Sequence, residues 1–170
     1  MHTASRVYII GFMGSGKTTA GKKISAFLGW DFVDLDHMIE MREKKSVNEI
    51  FSLYGEDYFR ELESTTLKNL ETVRNTVISA GGGTPCYCDN MEFMLRTGTV
   101  VYLKMTPGQL VSRLEKGLEK RPLLKEKDNK ELLHYITNKL SERENYYEAA
   151  NITVDSINLD IRSLCDKIRR

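Results

Sequence analysis

A chain of 170 residues has the length of one domain and room for one real core; 41% hydrophobic residues, 29% charged residues and only 3 prolines exclude a disordered, collagen-like or disulfide-built protein. The 25 Lys and Arg against 24 Asp and Glu leave a net charge of +1, without the broad basic field behind sequence-independent nucleic-acid binding. The longest apolar runs, such as Val7 to Met13, are too short to cross a bilayer, and the segment from Met1 to Arg6 lacks the apolar core and cleavage site of a secretory signal. A cytoplasmic protein is expected, with no membrane and no nucleic acid among its partners.

Arg6 to Ile10 reads as a strand that stops at Gly11, and Ala20, Ile24, Phe27 and Leu28 recur at helical spacing over Lys17 to Leu28, which Gly29 closes. A second strand ends at Asp34. Met38, Ile39 and Met41 suggest a helix, and Ser46-Val47-Asn48-Glu49 has the spacing of a capping box opening another, broken near Gly55 and running to about Glu71. Thr76 to Ala80 and Thr99 to Leu103 read as buried strands, the first stopped by Gly81-Gly82-Gly83 and the second before Pro107. Leu110, Val111, Leu114 and Leu118 mark a helix. The charged, aperiodic run from Lys120 to Asp128 is the candidate mobile loop; then come a helix over Asn129 to Ala149, a strand at Ile152 to Val154 and a last helix over Leu159 to Ile168. Strands alternating with helices specify a parallel sheet covered on both faces. Of the three cysteines, Cys86 and Cys88 lack the second pair a zinc site needs, and all three are expected as free thiols.

Gly11-Phe12-Met13-Gly14-Ser15-Gly16-Lys17-Thr18 fits the pattern G-x-x-x-x-G-K-[ST] between a strand and a helix, the context that the motif requires. Its glycines let consecutive N–H groups face an anion at a helix N-terminus; Lys17 is placed to reach the β and γ phosphates and the Thr18 hydroxyl to ligate Mg²⁺. A nucleotide triphosphate site follows, with Gly14, Ser15, Gly16, Lys17, Thr18 and Thr19 as its residues. The guanine-reading Asn/Thr-Lys-x-Asp of a GTPase is missing: Asn138-Lys139-Leu140-Ser141 lacks the Asp.

Asp34 and Asp36, two apart at the end of the second strand, are expected to point to one side, one carboxylate serving Mg²⁺ and the other a hydroxyl acceptor. An N-cap role for Asp36 is the alternative. On its own Arg60, one turn before Glu63, reads as a solvated ion pair and Arg143 as part of a solvated polar helix face, Arg121 reads equally as a solvated loop charge or as a cation closing over the γ-phosphate, and Gly81, Gly82 and Gly83 suit a tight turn almost as well as a ligand.

These elements occur together in one order: the Gly-rich loop, Phe32-Val33-Asp34-Leu35-Asp36, Glu49-Ile50-Phe51, Gly55-Glu56-x-x-Phe59-Arg60-x-x-Glu63, the triple glycine, Arg121-Pro122-Leu123-Leu124 and Arg143-x-x-x-Tyr147-x-x-x-Ala150. In that combination, over nearly the whole chain, the sequence resembles the shikimate kinases. The resemblance implies a three-layer αβα P-loop kinase fold with a five-stranded parallel sheet, one domain over 1–170 and a mobile lid over about 117–128. It implies ATP-dependent phosphorylation of the shikimate 3-hydroxyl, giving shikimate 3-phosphate and ADP, in aromatic amino-acid biosynthesis.

By the same resemblance Lys17, Asp36 and Arg121 are the catalytic residues. Asp34 joins Thr18 at Mg²⁺. Arg60 and Arg143 clamp the shikimate carboxylate, with Asp36, Gly81, Gly82 and Gly83 completing the acceptor site. Arg113 and Arg121 meet ATP, and Asp155-Ser156-Ile157-Asn158 closes the base pocket. The chain is expected to act as a monomer on ATP and shikimate. A kinase for another hydroxy acid such as gluconate, and an ATP-binding module without turnover, are the alternatives. The helix over Asn129 to Ala149 lacks the proline that the family often carries between the counterparts of Arg143 and Tyr147.

Overall fold

Val7, Tyr8, Ile9 and Ile10 are wholly buried, so the first strand, β1 (Arg6–Ile10), lies inside the sheet rather than at its edge. The computed structural model, which describes residues 6–116 and 128–169, places it in the middle of five strands. With β2 (Asp31–Asp34), β3 (Thr76–Ser79), β4 (Thr99–Lys104) and β5 (Ile152–Asp155), the order is β2-β3-β1-β4-β5 and every pair is parallel. Val7 sits opposite Val77 on one side and Thr99 on the other.

Alternation along β1 divides the core. Val7 and Ile9 face Ala20 and Ile24 of α1 (Lys17–Leu28) and Leu164, Cys165 and Ile168 of α7 (Ile161–Ile168). Tyr8 and Ile10 face the larger cluster, built from α2 (Leu35–Glu43), α3 (Val47–Lys68), α4 (Asn90–Thr97), α5 (Pro107–Glu115) and α6 (Asn129–Glu148). Each fully buried Ile or Leu contributes about 1.5–3 kcal/mol, and the period-2 pattern distributes that gain to both faces of the sheet. The result is the three-layer αβα arrangement implied by the resemblance.

The helix boundaries follow local chemistry. Ser46 and Glu49 form a reciprocal capping box at the start of α3, Thr106 and Gln109 do the same for α5, and Asp128 and Glu131 for α6. Gly55, at φ 84° and ψ 172°, kinks α3 where a break is expected. The helix α6 runs from Asn129 to Glu148 without a proline.

The sequence reading is corrected at three points. The helix α4 has no counterpart in the sequence reading, because its N-cap, Asp89, adopts a left-handed conformation with no side-chain cap and the helix has only eight residues. The carboxylate that caps α2 is Asp34, which accepts the His37 N–H at 3.2 Å, and not Asp36. The strand stops at Asp34, so Asp36 belongs to the first helical turn rather than to a strand alternation. Most of the proposed lid, Arg121 included, lies outside the described residues.

Candidate active site

Because β1 and its neighbours are parallel, their C-terminal ends share one edge, and the loops leaving β1, β2 and β3 meet there. A cavity of about 520 Å³ opens between them, lined by Gly14, Gly16, Lys17, Thr18, Thr19, Asp34, Asp36, Gly81, Gly82 and Arg113 together with Met13, Ser79, Ala80 and Lys116. Most of the phosphate cradle and, from the acceptor site, Asp36, Gly81 and Gly82 thus border a single space, whereas Arg60, Gly83 and Arg143 do not line it.

On the nucleotide side, Gly14 and Gly16 adopt φ of 83° and 89°, and Gly16 ends the loop as the N-cap of α1. The first turn of that helix carries no carboxylate, so its exposed N–H groups present uncompensated positive charge to the cavity. The Lys17 ammonium donates to the carbonyls of Gly11 at 2.9 Å and Phe12 at 3.0 Å, which holds it folded along the loop. The Ser15 side chain is buried and its N–H donates to Phe12 at 3.1 Å, so this residue shapes the loop from below instead of lining the cavity. Arg113 Nη1 donates to the Gly14 carbonyl at 3.4 Å, and the Ser156 hydroxyl donates to the Ser15 carbonyl at 2.5 Å, so the expected base-pocket segment reaches the loop.

Thr18 and Asp34 are already joined. The Thr18 hydroxyl donates to Asp34 Oδ2 at 2.7 Å, while the other carboxylate oxygen caps α2. Two hard oxygen ligands, with room left for water and phosphate oxygens, suit Mg²⁺, which seldom takes an all-protein cage. Among the described residues no group of three or more His, Cys, Asp or Glu is placed to hold a metal alone.

Asp36 is partly buried, and its pKa rises from 3.8 to about 6: burial is the largest cause, the Glu63 charge adds to it and Lys17 offsets part of it. A carboxylate poised there is a competent proton acceptor near neutral pH.

The acceptor side departs most from the sequence reading. Arg60 and Glu63 are buried, at 9% and 1% exposure, so their 3.0 Å pair is not the solvated surface contact that the spacing also allowed. Glu63 additionally accepts the Thr84 hydroxyl at 2.5 Å; burial pushes its carboxyl pKa up, against the pull of Thr84 and Arg60. Arg60 also donates through Nε and Nη2 to Glu56, at 3.2 and 3.1 Å.

The triple glycine owes its composition to this crowding. A Cβ on Gly81 would lie 2.8 Å from Glu63 Oε1, one on Gly82 3.3 Å from Arg143 Nη1, and one on Gly83 2.6 Å from Arg60 Nη2. Arg60 and Arg143, 83 positions apart in sequence, therefore flank the same loop.

Tyr147 and Tyr87 were not assigned roles from sequence. The Tyr147 hydroxyl donates to the Gly82 carbonyl at 2.5 Å, and Tyr87 packs on Arg60. The helical motif containing Arg143 pointed to Tyr147; the aperiodic segment around Tyr87 carried no signal.

A phosphate-binding loop that opens onto a small pocket with its own carboxylate and cations is the arrangement of a P-loop small-molecule kinase. The shikimate kinase family model matches residues 13–170. The shikimate kinase of Parabacteroides distasonis is 44% identical over 151 residues, 89% of this chain and 87% of its own. The crystal structure of shikimate kinase from Bacteroides thetaiotaomicron superposes with a TM-score of 0.90 at 40% identity over 96% of each chain. That of the Acinetobacter baumannii shikimate kinase in complex with shikimate gives 0.82 at 33% identity, covering 98% of this chain and 91% of that one. The chain belongs to the shikimate kinase family.

Proposed function

We propose that this protein transfers the γ-phosphoryl group of ATP to the 3-hydroxyl of shikimate, giving shikimate 3-phosphate and ADP, as a step of aromatic amino-acid biosynthesis. The observation that carries the reading is the convergence of Arg60 and Arg143 on the glycine loop that borders the Asp36 cavity. Guanidinium groups match a carboxylate with paired charge-assisted hydrogen bonds, and two of them converging on one loop present donors that a neutral acceptor would use less well, although Arg60 also keeps Glu56 and Glu63. That chemistry favours shikimate over a nucleoside, and family membership favours it over gluconate.

In this reading the loop amides and Lys17 hold the triphosphate, with Lys17 leaving its resting contacts on Gly11 and Phe12 for the phosphate oxygens. Thr18 and Asp34 would hold Mg²⁺, which would supply charge neutralisation to the triphosphate. Asp36 accepts the hydrogen bond of the acceptor hydroxyl and takes its proton as the phosphoryl group leaves. Gly81, Gly82 and Gly83 offer backbone to the ring; Arg113, with Gly14, Gly16 and Thr19, completes the nucleotide side, and Ser15 keeps the loop in shape beneath it. Arg121, outside the described residues, is assigned to the transferring phosphate through its sequence context alone.

The whole chain acts as one domain and as a cytoplasmic monomer; no helix among the described residues is long and apolar enough to cross a membrane.

A coupled ADP-release assay with ATP and Mg²⁺ against shikimate, gluconate, nucleoside monophosphates and buffer tests the proposal. Shikimate alone should stimulate ADP formation. Equal stimulation by gluconate, or none by any acceptor, would overturn it.

A further inference from the structure

The guanidinium of Arg60 has an unusual set of neighbours. Its Nε and Nη2 donate to Glu56, its Nη1 donates to Glu63, and Gly83 approaches its plane, with a Cβ there lying 2.6–2.8 Å from Nη2, Nη1 and Cζ alike. Three aromatic rings surround it. Tyr87 stacks at 4.2 Å from Cζ to ring centroid, whereas Phe59 and Phe51 stand off at 5.4 and 5.7 Å. The Tyr87 hydroxyl also donates to Glu56 Oε1 at 3.2 Å, the oxygen that Arg60 uses.

An arginine that receives a ligand carboxylate has two conflicting needs. Its long side chain carries high rotamer entropy and must be held, yet every protein carboxylate that holds it occupies N–H groups required for the ligand. Glu56 and Glu63 take three of the five Arg60 N–H groups and leave two, and an aromatic face adds restraint without consuming either, because it fixes the plane of the cation and attracts it through the ring. Tyr87 is itself held for the purpose. Its backbone is extended at φ −130°, its carbonyl accepts the Asn90 N–H at 3.0 Å, and Cys86 N–H donates to Gly83 at 2.9 Å just before it. The Cys88 thiol meets the Arg60 carbonyl at 3.9 Å, tying the same segment to α3.

We propose that Tyr87 is a positioning residue for Arg60, orienting its guanidinium for the acceptor carboxylate and thereby setting the preference of this enzyme for an anionic ring. The proposal rests on the reading that Arg60 grips that carboxylate, and its test separates the two. Shikimate KM and the inhibition constant of its neutral methyl ester are measured for the wild type and for Tyr87→Ala, Tyr87→Phe and Arg60→Ala.

Tyr87→Ala should raise the shikimate KM about three- to tenfold, with ATP KM unchanged, kcat within about twofold and ester inhibition unmoved. Tyr87→Phe keeps the ring face and should stay within about twofold of wild type. Arg60→Ala should sharply reduce the preference for acid over ester, with Arg143 retaining the remainder. If Tyr87→Ala weakens acid and ester alike, or leaves the shikimate KM unchanged while Arg60→Ala raises it, Tyr87 does not position Arg60. If Arg60→Ala leaves the acid-over-ester preference intact, the carboxylate assignment of Arg60 itself falls, and the role of Tyr87 with it.

Discussion

Tyr147 is buried against Tyr102, with ring centroids 5.0 Å apart, and its hydroxyl donates to the Gly82 carbonyl at 2.5 Å, joining the end of α6 to the loop after β3. Arg143, one turn earlier, interacts with the same hydroxyl. One phenol thus couples a cation of the acceptor site to the backbone beneath it. Tyr147→Phe keeps the packing and removes the link, leaving the Gly82 carbonyl without that donor. The expected cost is about 1–3 kcal/mol in stability, together with a several-fold rise in shikimate KM and an unchanged ATP KM. Thermal unfolding and steady-state kinetics check both; a variant with wild-type KM for shikimate would show that the loop holds its shape without Tyr147.

The pKa of Asp36 gives stability a defined pH dependence in the nucleotide-free protein. Burial, with Glu63 beside it, raises the folded pKa from 3.8 to about 6, so folding favours the protonated form. The contribution is therefore fully present below about pH 4 and is lost as pH rises through about 6. Asp36→Asn stays neutral throughout. Its stability relative to wild type should grow between pH 4 and pH 7 toward a gain on the order of 2–3 kcal/mol, or roughly 5–10 °C in Tm. A stability difference that stays flat over that range would contradict the raised pKa.

What the sequence disclosed, and what it withheld, divides along a physical line. The phosphate loop and the capping boxes at Ser46 and Thr106 are local: the residues that make the contact lie within a few positions of one another, and Gly16 or Glu49 is readable from its neighbours. The Ser46 box is legible from its spacing, and Thr106-Pro107-Gly108-Gln109 carries the same local signal. The acceptor site is non-local. That Glu63 is buried against Thr84, or that Gly82 meets Tyr147, depends on how α3, α6 and the loop after β3 pack, and no spacing encodes it. Joint resemblance recovered Arg60 and Arg143, because a family pattern stores the outcome of that packing. It was silent on Tyr87, which belongs to no quoted motif. The helix α4 failed for a simpler reason, since its start has neither a side-chain cap nor a long apolar period.

Gly21 sets two known effects against each other. In the middle of α1, replacing Gly by Ala lowers the entropy of the unfolded chain and gains about 0.5–1 kcal/mol. Here, however, a Cβ would lie 2.5 Å from Cε2 of Phe32, where the helix crosses β2. Overpacking of that kind costs about 1–3 kcal/mol, so Gly21→Ala should destabilise by about 1 kcal/mol or more. Adding Phe32→Leu to the variant should recover part of the loss, a coupling that urea unfolding of the single and double variants would measure. Additive losses would mean that the ring moves aside freely.

Gly83 offers the complementary case, in which the added methyl group meets a functional side chain. Its φ of −91° is open to any residue, so no backbone strain opposes Gly83→Ala. The obstacle is Arg60, whose Nη2, Nη1 and Cζ lie 2.6, 2.7 and 2.8 Å from the new Cβ position. An unrestrained arginine would swing away at little cost, but Glu56, Glu63 and Tyr87 hold this one on three sides. The methyl group therefore displaces the guanidinium from the acceptor loop while the core of the sheet is untouched. Shikimate KM should rise about tenfold, with Tm lowered by only a few degrees and ATP KM unchanged. A Gly83→Ala enzyme with wild-type affinity for shikimate would mean that the position of Arg60 beside Gly83 is not the one in which the acceptor is bound.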